Sequence, residues 1–366
     1  MSHAPLFRVD HVGSLLRPPG LRQAFRDHET GALSDAAFAV VQDEAVAAAI
    51  RLQEEVGLDA ITDGEFRRIS YWARFVDRVD GMAVAPATFR FRDDAGTEVE
   101  FLAPHVRAPV RWTQSIAGDE LDFVRANTSR TPKITLPSPA TMHFWRGRQG
   151  VDPAAYADLD RYFDDLARVY RDEIADLAAR GCRYLQIDDV PLAMLASSQV
   201  RGQVRAAGDD PEALIDRYIR LTNSAVAERP AGVTVAMHLC RGNFKGRWLS
   251  EGGYEPVAER LFGRVEVDTF FLEYDTERAG DFRPLRFVPA DKSVVLGLVS
   301  TKTPKLEDRD ALRRRIDEAA GFLPLEQLGI SPQCGFASTV GGNALSIDDE
   351  RRKLELVVQV AKAVWT

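Results

Sequence analysis

The segment TVAMHLC, residues 234–240, combines the pattern of a buried strand with two residue types that bind metal ions. Its apolar residues fall on both faces, as expected of a strand inside a parallel sheet. Residues two apart on a strand point to the same side, so His238 and Cys240 share a face and Leu239 points away. The segment predicts a core strand whose end could hold a soft metal ion. A satisfied core histidine beside a cysteine that packs as a small apolar residue is the structural alternative.

Seven further segments have strand-like patterns, and most are apolar on both faces. They begin at Val9 (VDHVGS), Ala60 (AITDGE), Lys133 (KITLPSP), Tyr184 (YLQIDDV), Thr269 (TFFLEY), Val294 (VVLGLVS) and Gly329 (GISPQCG). Long amphipathic stretches alternate with several of them, at residues 35–56, 156–180, 211–227, 306–322 and 348–365. This alternation predicts an α/β fold, a (β/α)8 TIM barrel that forms one catalytic domain over residues 1–366.

The interval from about residue 81 to 131 does not follow this alternation, because it contains no long helical pattern. The stretch FRFRDDAGTEVEF, residues 89–101, instead has two alternating segments around an Asp-Asp-Ala-Gly turn. We therefore predict a β-hairpin-like insertion after the second barrel strand, lying over the mouth of the barrel.

Composition narrows the classes of function. The 366 residues are 45% hydrophobic and 28% charged with a net charge of −8, which argues against nucleic acid or an anionic membrane surface as a partner. No apolar run is long enough to span a membrane, and the start lacks a signal-peptide pattern. Three widely spaced cysteines predict no disulfide framework and favour the cytoplasm. We assign no chemistry to Cys182, and oligomeric state stays open.

Polar residues follow all eight predicted strands. In an α/β barrel, the carboxyl ends of the strands meet around the active site, so these side chains are expected to converge. The set comprises Ser14, Asp63, Glu65, Ser138, His143, Trp145, Asp188, Asp189, His238, Cys240, Glu273, Lys302 and Cys334.

Four of these residues form a candidate metal site: His238, Cys240, Glu273 and Cys334. An imidazole, a carboxylate and two thiolates suit Zn²⁺, which favours tetrahedral nitrogen, sulfur and oxygen ligands. Zinc lowers the pKa of a bound thiol, so the donor set points to attack by a substrate thiol on an electrophilic carbon.

Four motifs resemble the cobalamin-independent methionine synthase family: HVGSLLRP at residues 11–18, HLC at 238–240, FFLEY at 270–274 and SPQCGFAS at 331–338. The resemblance covers nearly the whole chain and identifies His238, Cys240, Glu273 and Cys334 with the family's zinc ligands. It corresponds to the catalytic barrel alone, so we expect a single-barrel member without the N-terminal barrel of the long enzymes.

The resemblance implies methyl transfer from 5-methyltetrahydrofolate, which could be polyglutamylated, to the thiol of homocysteine, giving methionine. Ser14 would contact the amino-acid carboxylate, while Glu65 and Asp188 would hold the ammonium group. Trp145 resembles the aromatic residue that stacks on the pterin. The structural alternatives are salt bridges from the two acids to Arg67, Arg68 or Arg183 at the barrel rim, and core packing for Trp145.

The sequence departs from the family after the seventh strand. The long enzymes carry a histidine in an Asp-Ile-His-Ser-Pro pattern, whereas this chain has STKTP at residues 300–304. Lys302 could contact an anionic group of the thiol substrate, or be a rim lysine in water. His143 and Asp189 are then the candidate acids for protonating the methyl donor.

Two other functions fit the same motifs. One is a zinc alkyltransferase acting on another thiol or donor, such as an epoxyalkane:coenzyme M transferase-like enzyme or a methyltransferase that uses a methylcorrinoid. The other is a non-catalytic barrel that keeps zinc as a structural ion. The expected partners are small molecules, a thiol amino acid and a methyl donor.

Overall fold

The computed structural model describes residues 5–92 and 98–365. Within them, seven parallel strands form a curled sheet in the order β1-β6-β7-β8-β9-β10-β11, and two small antiparallel ribbons pair β2 with β5 and β3 with β4. The strands are β1 (Ala60–Ile61), β2 (Val79–Pro86), β3 (Phe91–Arg92), β4 (Glu98–Val99), β5 (Leu102–Trp112), β6 (Thr131–Pro137), β7 (Tyr184–Asp189), β8 (Thr234–Leu239), β9 (Thr269–Glu273), β10 (Ser293–Val299) and β11 (Leu328–Pro332).

The prediction of a strand beginning at Val9 is wrong, because this segment forms only a single parallel bridge from Val9 to Ile330. The His11 N–H donates to its neighbour Asp10 at 2.7 Å instead of to an adjacent strand, a local bond that competes with sheet pairing. The segment nevertheless bonds both sheet edges. The Asp10 N–H donates to the Ile330 carbonyl of β11, and Thr62 Oγ1, just after β1, donates to the Gly13 carbonyl. The sheet is therefore consistent with a TIM-like barrel.

All five predicted helices are present, with ends shifted by zero to three residues. The helices are α1 (Pro19–Glu29), α2 (Asp35–Val56), α3 (Ala73–Arg78), α4 (Gly118–Asn127), α5 (Thr141–Phe144), α6 (Leu159–Ala179), α7 (Pro191–Met194), α8 (Ser198–Ala206), α9 (Pro211–Val226), α10 (Ala258–Arg264), α11 (Arg309–Ala320) and α12 (Ile347–Val364). Short 3₁₀ turns occupy Gly147–Gly150, Glu277–Ala279, Arg283–Phe287 and Leu325–Gln327. Each of the five predicted helices begins after a Ser or Asp whose side chain accepts from a first-turn N–H. None of the helices described here is both long and apolar enough to cross a membrane.

The interval 81–131 contains two features that were not predicted, the β2–β5 ribbon and a helix. It contains α4, a ten-residue helix with Asp119 and Glu120 in its first turn, where acidic side chains favour the helix N-terminus. Its short apolar pattern, mainly Leu121 and Val124, gives too little periodicity to detect. The turn of the predicted hairpin lies outside the described residues, so that hairpin stays a prediction.

Buried polar contacts fix the segment before α1 against the last helix. Glu350, in the first turn of α12, accepts a hydrogen bond from the Leu16 N–H at 2.7 Å. Burial raises the pKa of Glu350 to about 8, although the bond from Leu16 partly opposes this shift. The native state therefore holds a proton on this carboxyl that the unfolded chain loses at a much lower pH.

The variant Glu350→Gln is expected to gain stability relative to the parent as pH rises. The folded pKa lies above the unfolded value of about 4.3, so the parent loses stability as pH climbs from that value through about 8. Glutamine keeps the acceptor and cannot ionise. Thermal unfolding at about pH 5 and about pH 9 should show a variant-minus-parent difference that grows by on the order of 4 kcal/mol. Glu355→Gln, on the same helix, is the control, and an unchanged difference for Glu350→Gln would contradict the assignment.

Candidate metal centre and substrate cavity

A cavity of about 640 Å³ opens where the carboxyl ends of the sheet strands meet. Seven residues predicted for the site line it: Ser14, Glu65, Trp145, Asp188, His238, Cys240 and Cys334. The other six predicted residues do not line it: Asp63, Ser138, His143, Asp189, Glu273 and Lys302. The predicted convergence of strand ends therefore holds for the thiols, the imidazole and two of the acids.

His238, Cys240 and Cys334 form a compact buried cluster, with one ligand atom of each lying within 4.8 Å of the others. His238 is the fifth residue of β8, and Cys240 follows two positions later on the same side. Cys334 comes two residues after β11 ends, so it reaches the cluster from across the sheet. Two distant parts of the chain thus supply one imidazole and two thiols to one point.

The donors of this cluster fit a bound zinc ion. Both ring nitrogens of His238 are buried and have no nitrogen or oxygen partner within the described part of the chain, and the ring interacts with the Cys334 thiol. Leaving buried polar atoms without a partner is unfavourable, and coordination to a metal would relieve it. Nitrogen and thiolate sulfur are the ligands that zinc prefers in tetrahedral sites.

The pKa values of the two cluster thiols are shifted in opposite directions. Hydrogen bonding with Cys240 holds the pKa of Cys334 well below its ordinary value, helped by the His238 imidazole and opposed by burial. The same interaction, together with burial, raises the pKa of Cys240. One thiolate is therefore favoured before any metal binds, and metal coordination would favour the second.

Glu273, the last residue of β9, is fully buried but is not part of this three-residue cluster. Its Oε2 accepts a hydrogen bond from the Arg241 N–H at 2.8 Å, and its Oε1 lies 3.4 Å from Lys302 Nζ. Burial alone would raise the pKa of Glu273, but Lys302 and then Arg241 outweigh it and lower that pKa. The carboxylate is thus charged and already partnered.

Lys302 is not a rim lysine in water, because its side chain is only 6% exposed and pairs with Glu273. The sequence alternative of a solvated lysine is therefore wrong. Its pairing could not be predicted from the motif, since the two residues lie on different strand ends.

Glu65 lines the cavity and has one carboxylate oxygen without a hydrogen-bond partner among the described residues. Its backbone is left-handed, with φ of 60°, a strained conformation that often marks functional sites. Thr135 Oγ1 donates to Oε1 at 2.8 Å, and Arg68 Nη1 lies 3.5 Å from that oxygen. Within the described residues, the buried Oε2 has no hydrogen-bond partner. The salt bridge to Arg68 thus engages one oxygen and leaves the other available to a ligand.

Asp188, near the end of β7, is the second acid in the cavity wall. Burial raises the pKa of Asp188 to about 7, and the His238 imidazole opposes this rise. Gln186 Nε2 donates to Asp188 Oδ1 at 2.6 Å. Arg183, its proposed alternative partner, instead donates to the carbonyls of Ala178 and Cys182.

Ser14 lies beside the metal cluster through the loop that carries Cys334. The Phe336 N–H donates to the Ser14 carbonyl at 2.9 Å. A Cβ at Gly335 would lie 1.9 Å from Ser14 Oγ, so a larger residue there would displace the Ser14 hydroxyl. The sequence neighbours of Cys334 thus fix the segment 11–18 at the cavity.

Trp145 and His143 occupy different environments although they are two residues apart. Trp145 lines the cavity and packs edge-on to Phe101, with ring centroids 5.4 Å apart. His143 Nδ1 bonds with Tyr218 Oη at 2.8 Å, and burial lowers the pKa of His143 to about 4. A neutral imidazole away from the cavity is poorly placed to protonate a methyl donor.

Asp189 is also buried outside the cavity wall. Its Oδ1 accepts from the Leu192 N–H at 2.8 Å, capping the turn that follows β7. Burial raises the pKa of Asp189 to about 6. The structure therefore gives this residue a local structural contact without placing it against a substrate.

Asn243 and Tyr71 are among the cavity residues that the sequence analysis missed. Asn243 lies three residues after Cys240 and donates through Nδ2 to the Gly335 carbonyl at 2.9 Å. Its position just after a barrel strand is a signal that could have identified it. Tyr71 also lines the cavity with a buried hydroxyl, but it lies in a long connection where no periodicity marks it.

The fold and the site together define an α/β protein with a candidate imidazole–dithiol metal centre at the carboxyl ends of its strands. A family model described as the catalytic domain of cobalamin-independent synthase matches residues 9–363. The chain therefore belongs to that family, as the sequence motifs predicted.

Individual relatives cover almost the whole chain. The uncharacterized protein YxjH of Bacillus subtilis (strain 168) is 38% identical over 363 residues, which is 98% of this chain and 95% of that protein. A crystal structure from Listeria monocytogenes, provisionally named a vitamin-B12-independent methionine synthase, is 32% identical with a TM-score of 0.78 and covers 100% of both chains. A B12-independent methionine synthase from Shewanella sp. W3-18-1, solved in complex with selenomethionine, shares the fold at 19% identity, with a TM-score of 0.72 over 98% of both chains.

The variants Cys240→Ser and Cys334→Ser are expected to lose metal binding while keeping the fold. Each removes a thiolate from the cluster, so affinity should fall by more than the roughly 10- to 100-fold that loss of an outer-shell partner costs. Cys182→Ser is the matched control, because Cys182 is buried elsewhere and contacts the Tyr184 carbonyl. Metal content after equilibrium dialysis and circular dichroism measure both properties. Full metal loading of Cys334→Ser would remove Cys334 from the site.

Proposed function

We propose that the chain is a zinc-dependent S-methyltransferase that transfers a methyl group from 5-methyltetrahydrofolate to homocysteine, giving methionine. One observation carries the proposal: the imidazole–dithiol cluster and two buried acids open onto the same cavity. We also propose that residues 1–366 act as one catalytic unit, with residues 81–131 inserted into the barrel.

We propose zinc as the ion, with His238, Cys240 and Cys334 as ligands, because zinc prefers imidazole nitrogen and thiolate sulfur. A zinc ion in this position would lower the pKa of a substrate thiol and keep it nucleophilic at neutral pH. The protein contributes a cavity wall in which the thiol can lie beside the cluster while its remaining groups meet other side chains.

The two acids favour a thiol that also carries an ammonium group. Glu65 Oε2 has no partner among the described residues, and Asp188 lies in the same wall. A cation held between carboxylates gains charge-assisted hydrogen bonds, whereas a sulfonate would meet like charge. This supports homocysteine over coenzyme M as the acceptor. The Shewanella methionine synthase, solved with selenomethionine, also favours an amino-acid ligand.

The remaining wall of the cavity supports a flat, partly apolar methyl donor. Trp145, Phe101 and Trp72 line it, together with Val84 and Leu102 of the β2–β5 ribbon. Aromatic side chains offer faces and edges that pack against a ring system such as a pterin. Folate is therefore the proposed donor, and a methylcorrinoid remains the alternative that the assay below distinguishes.

The proposed acceptor is tested by zinc-edge X-ray absorption on the loaded protein with and without homocysteine. We expect two sulfur neighbours to become three when homocysteine is added. In parallel, methionine formation is measured with 5-methyltetrahydrofolate, its polyglutamate or methylcobalamin as donor. If the number of sulfur neighbours stays at two with homocysteine and rises with coenzyme M, the acceptor assignment is overturned. Turnover with methylcobalamin alone would overturn the donor assignment.

The variant Glu65→Gln is expected to raise the KM for homocysteine by roughly 10- to 100-fold, the value of a charge-assisted hydrogen bond. The KM for the methyl donor and the metal content should change little, because neither depends on this carboxylate. Glu100→Gln, at another part of the cavity wall, is the control. An equal loss for both variants, or an effect confined to kcat, would argue against ammonium binding by Glu65.

A further inference from the structure

The segment that carries Ser14 lies between two loops of the cavity wall. The β1 loop, residues 62–72, carries Glu65, and the β11 loop, residues 333–346, carries Cys334. We propose that Arg17, in this segment, is a positioning residue that fixes the distance between Glu65 and the β11 loop, and thereby selects the chain length of the amino-acid ligand. The inference rests on the proposed function, in which the ammonium group meets Glu65 and the sulfur meets the metal cluster.

Backbone hydrogen bonds join this segment to both loops. The Leu15 N–H donates to the Gly64 carbonyl of the β1 loop at 3.1 Å. The Ser14 carbonyl accepts from the Phe336 N–H of the β11 loop at 2.9 Å. Two consecutive residues of one segment are thus bonded to different loops, so the segment acts as a spacer between them.

The Arg17 side chain makes a second connection between the same two loops, and this connection is rigid. Nη2 donates to the carbonyls of Glu65 and Arg68 in the β1 loop, at 2.6 and 2.7 Å. Nη1 donates to the carbonyls of Ala337 and Thr339 in the β11 loop, at 3.2 and 3.1 Å. Because the guanidinium is planar and its two terminal nitrogens are fixed relative to each other, these bonds set the separation of the two pairs of carbonyls.

The cost of burying this charge favours a positioning role over a purely stabilising one. Arg17 is only 3% exposed, and these four hydrogen bonds all go to neutral carbonyls. Burial lowers the pKa of Arg17 to about 10, although attraction to Glu65 and Asp63 opposes the shift, so the side chain is still charged at neutral pH. An apolar residue of similar volume would fill the same space without the loss of hydration that a buried charge suffers.

Glu65 depends on Arg17 more than the rest of the β1 loop does. The two loops are also joined by an antiparallel bridge between Ser70 and Thr339, but this bridge lies further along the chain. The Glu65 backbone is left-handed, with φ of 60°, a strained conformation that surrounding contacts must maintain. Its other backbone hydrogen bonds are to residues of its own loop. Among the described residues, Arg17 is the side chain that bonds both the Glu65 backbone and the β11 loop.

A fixed separation between the loops selects ligands by length. In the proposed complex the ammonium and the sulfur lie at the two ends of a short carbon chain, and each end has its own partner in the wall. A ligand that is one methylene shorter or longer would lose one of these contacts, which typically changes affinity by roughly 10- to 200-fold. If the loops could move apart, an extra methylene would instead add apolar contact and bind slightly better.

Calorimetric titration of the zinc-loaded protein tests the proposal on the parent, Arg17→Lys and Arg8→Lys. The ligands are S-methylcysteine, methionine and homomethionine, which differ by one methylene each and carry no free thiol that would remove the metal. We expect the parent to bind methionine roughly tenfold more tightly than either homologue. Arg17→Lys should bind homomethionine as tightly as methionine, because the single nitrogen of lysine cannot hold both loops at a fixed separation.

Arg8→Lys is the matched control. Arg8 lies in the same N-terminal stretch and donates to the carbonyls of Glu326 and Leu328, but it does not line the cavity. Its preference for methionine should stay within about twofold of that of the parent. A loss of stability alone would weaken the binding of all three ligands alike, so the ratio of affinities reports positioning. Arg17→Gln replaces Arg17→Lys if circular dichroism shows that the lysine variant does not fold.

The outcomes separate this inference from the proposed function. Equal affinity of the parent for methionine and homomethionine would overturn the inference, whether or not any variant folds. An unchanged preference in Arg17→Lys, or an equal loss of preference in Arg8→Lys, would also overturn it, and methionine binding would leave the proposed function intact. A parent that binds none of the three ligands would overturn the proposed amino-acid acceptor itself.

Discussion

The hydrogen-bond register of the parallel strands β7, β8 and β9 is the constraint on which the site depends. Asp188 pairs in register with His238, and His238 with Phe271 of β9. Side chains alternate along each strand, so a shift of one residue would turn His238 away from the cavity. Glu273 lies two residues beyond Phe271 and therefore faces the same side. The hydrogen bonds between these strands therefore bring Asp188, His238 and Glu273 into one region, independently of any side-chain contact.

Around this frame, buried charges are matched by specific partners. Arg68 donates to Glu120 at 2.6 Å and also to Thr135, which in turn donates to Glu65. A buried ion pair of this kind contributes little net stability, but removing one partner is costly because the other charge remains. The bond from Thr135 engages Oε1 of Glu65, and Oε2 has no hydrogen-bond partner among the described residues. The Glu65 side chain is thus positioned by Arg68, Glu120 and Thr135, which do not line the cavity themselves.

Several features could be predicted because each depends on residues close in sequence. The helix at residues 35–56 has a long periodic pattern and a serine cap, and its ends agree with the structure. The spacing of His238 and Cys240 predicts that their side chains share a face of the strand. The position of Cys334 just after a strand predicts that it lies close to them. The family motifs then supplied the roles that spacing alone could not assign.

Other features depend on contacts that no local pattern records. The segment at Val9 has a strand-like composition but bonds to its own Asp10 side chain and to two separate sheet edges. The ten-residue helix α4 is too short for its apolar periodicity to be distinguished from a chance pattern. The pairing of Glu273 with Lys302 spans 29 residues and two strand ends, so it follows from the tertiary fold alone.

Charge balance gives that pairing its chemical meaning. Two thiolates neutralise a divalent ion, and a carboxylate bound to the same ion would leave the centre with a net negative charge. In a buried site such excess charge is expensive, and it would oppose the approach of a further thiolate. Lys302 compensates the charge of Glu273 at 3.4 Å, so this ion pair adds no net charge beside the candidate metal centre. A divalent ion bound by the two cluster thiolates would then add no net charge to the site, and a neutral histidine in place of Lys302 would leave the charge of Glu273 without this partner.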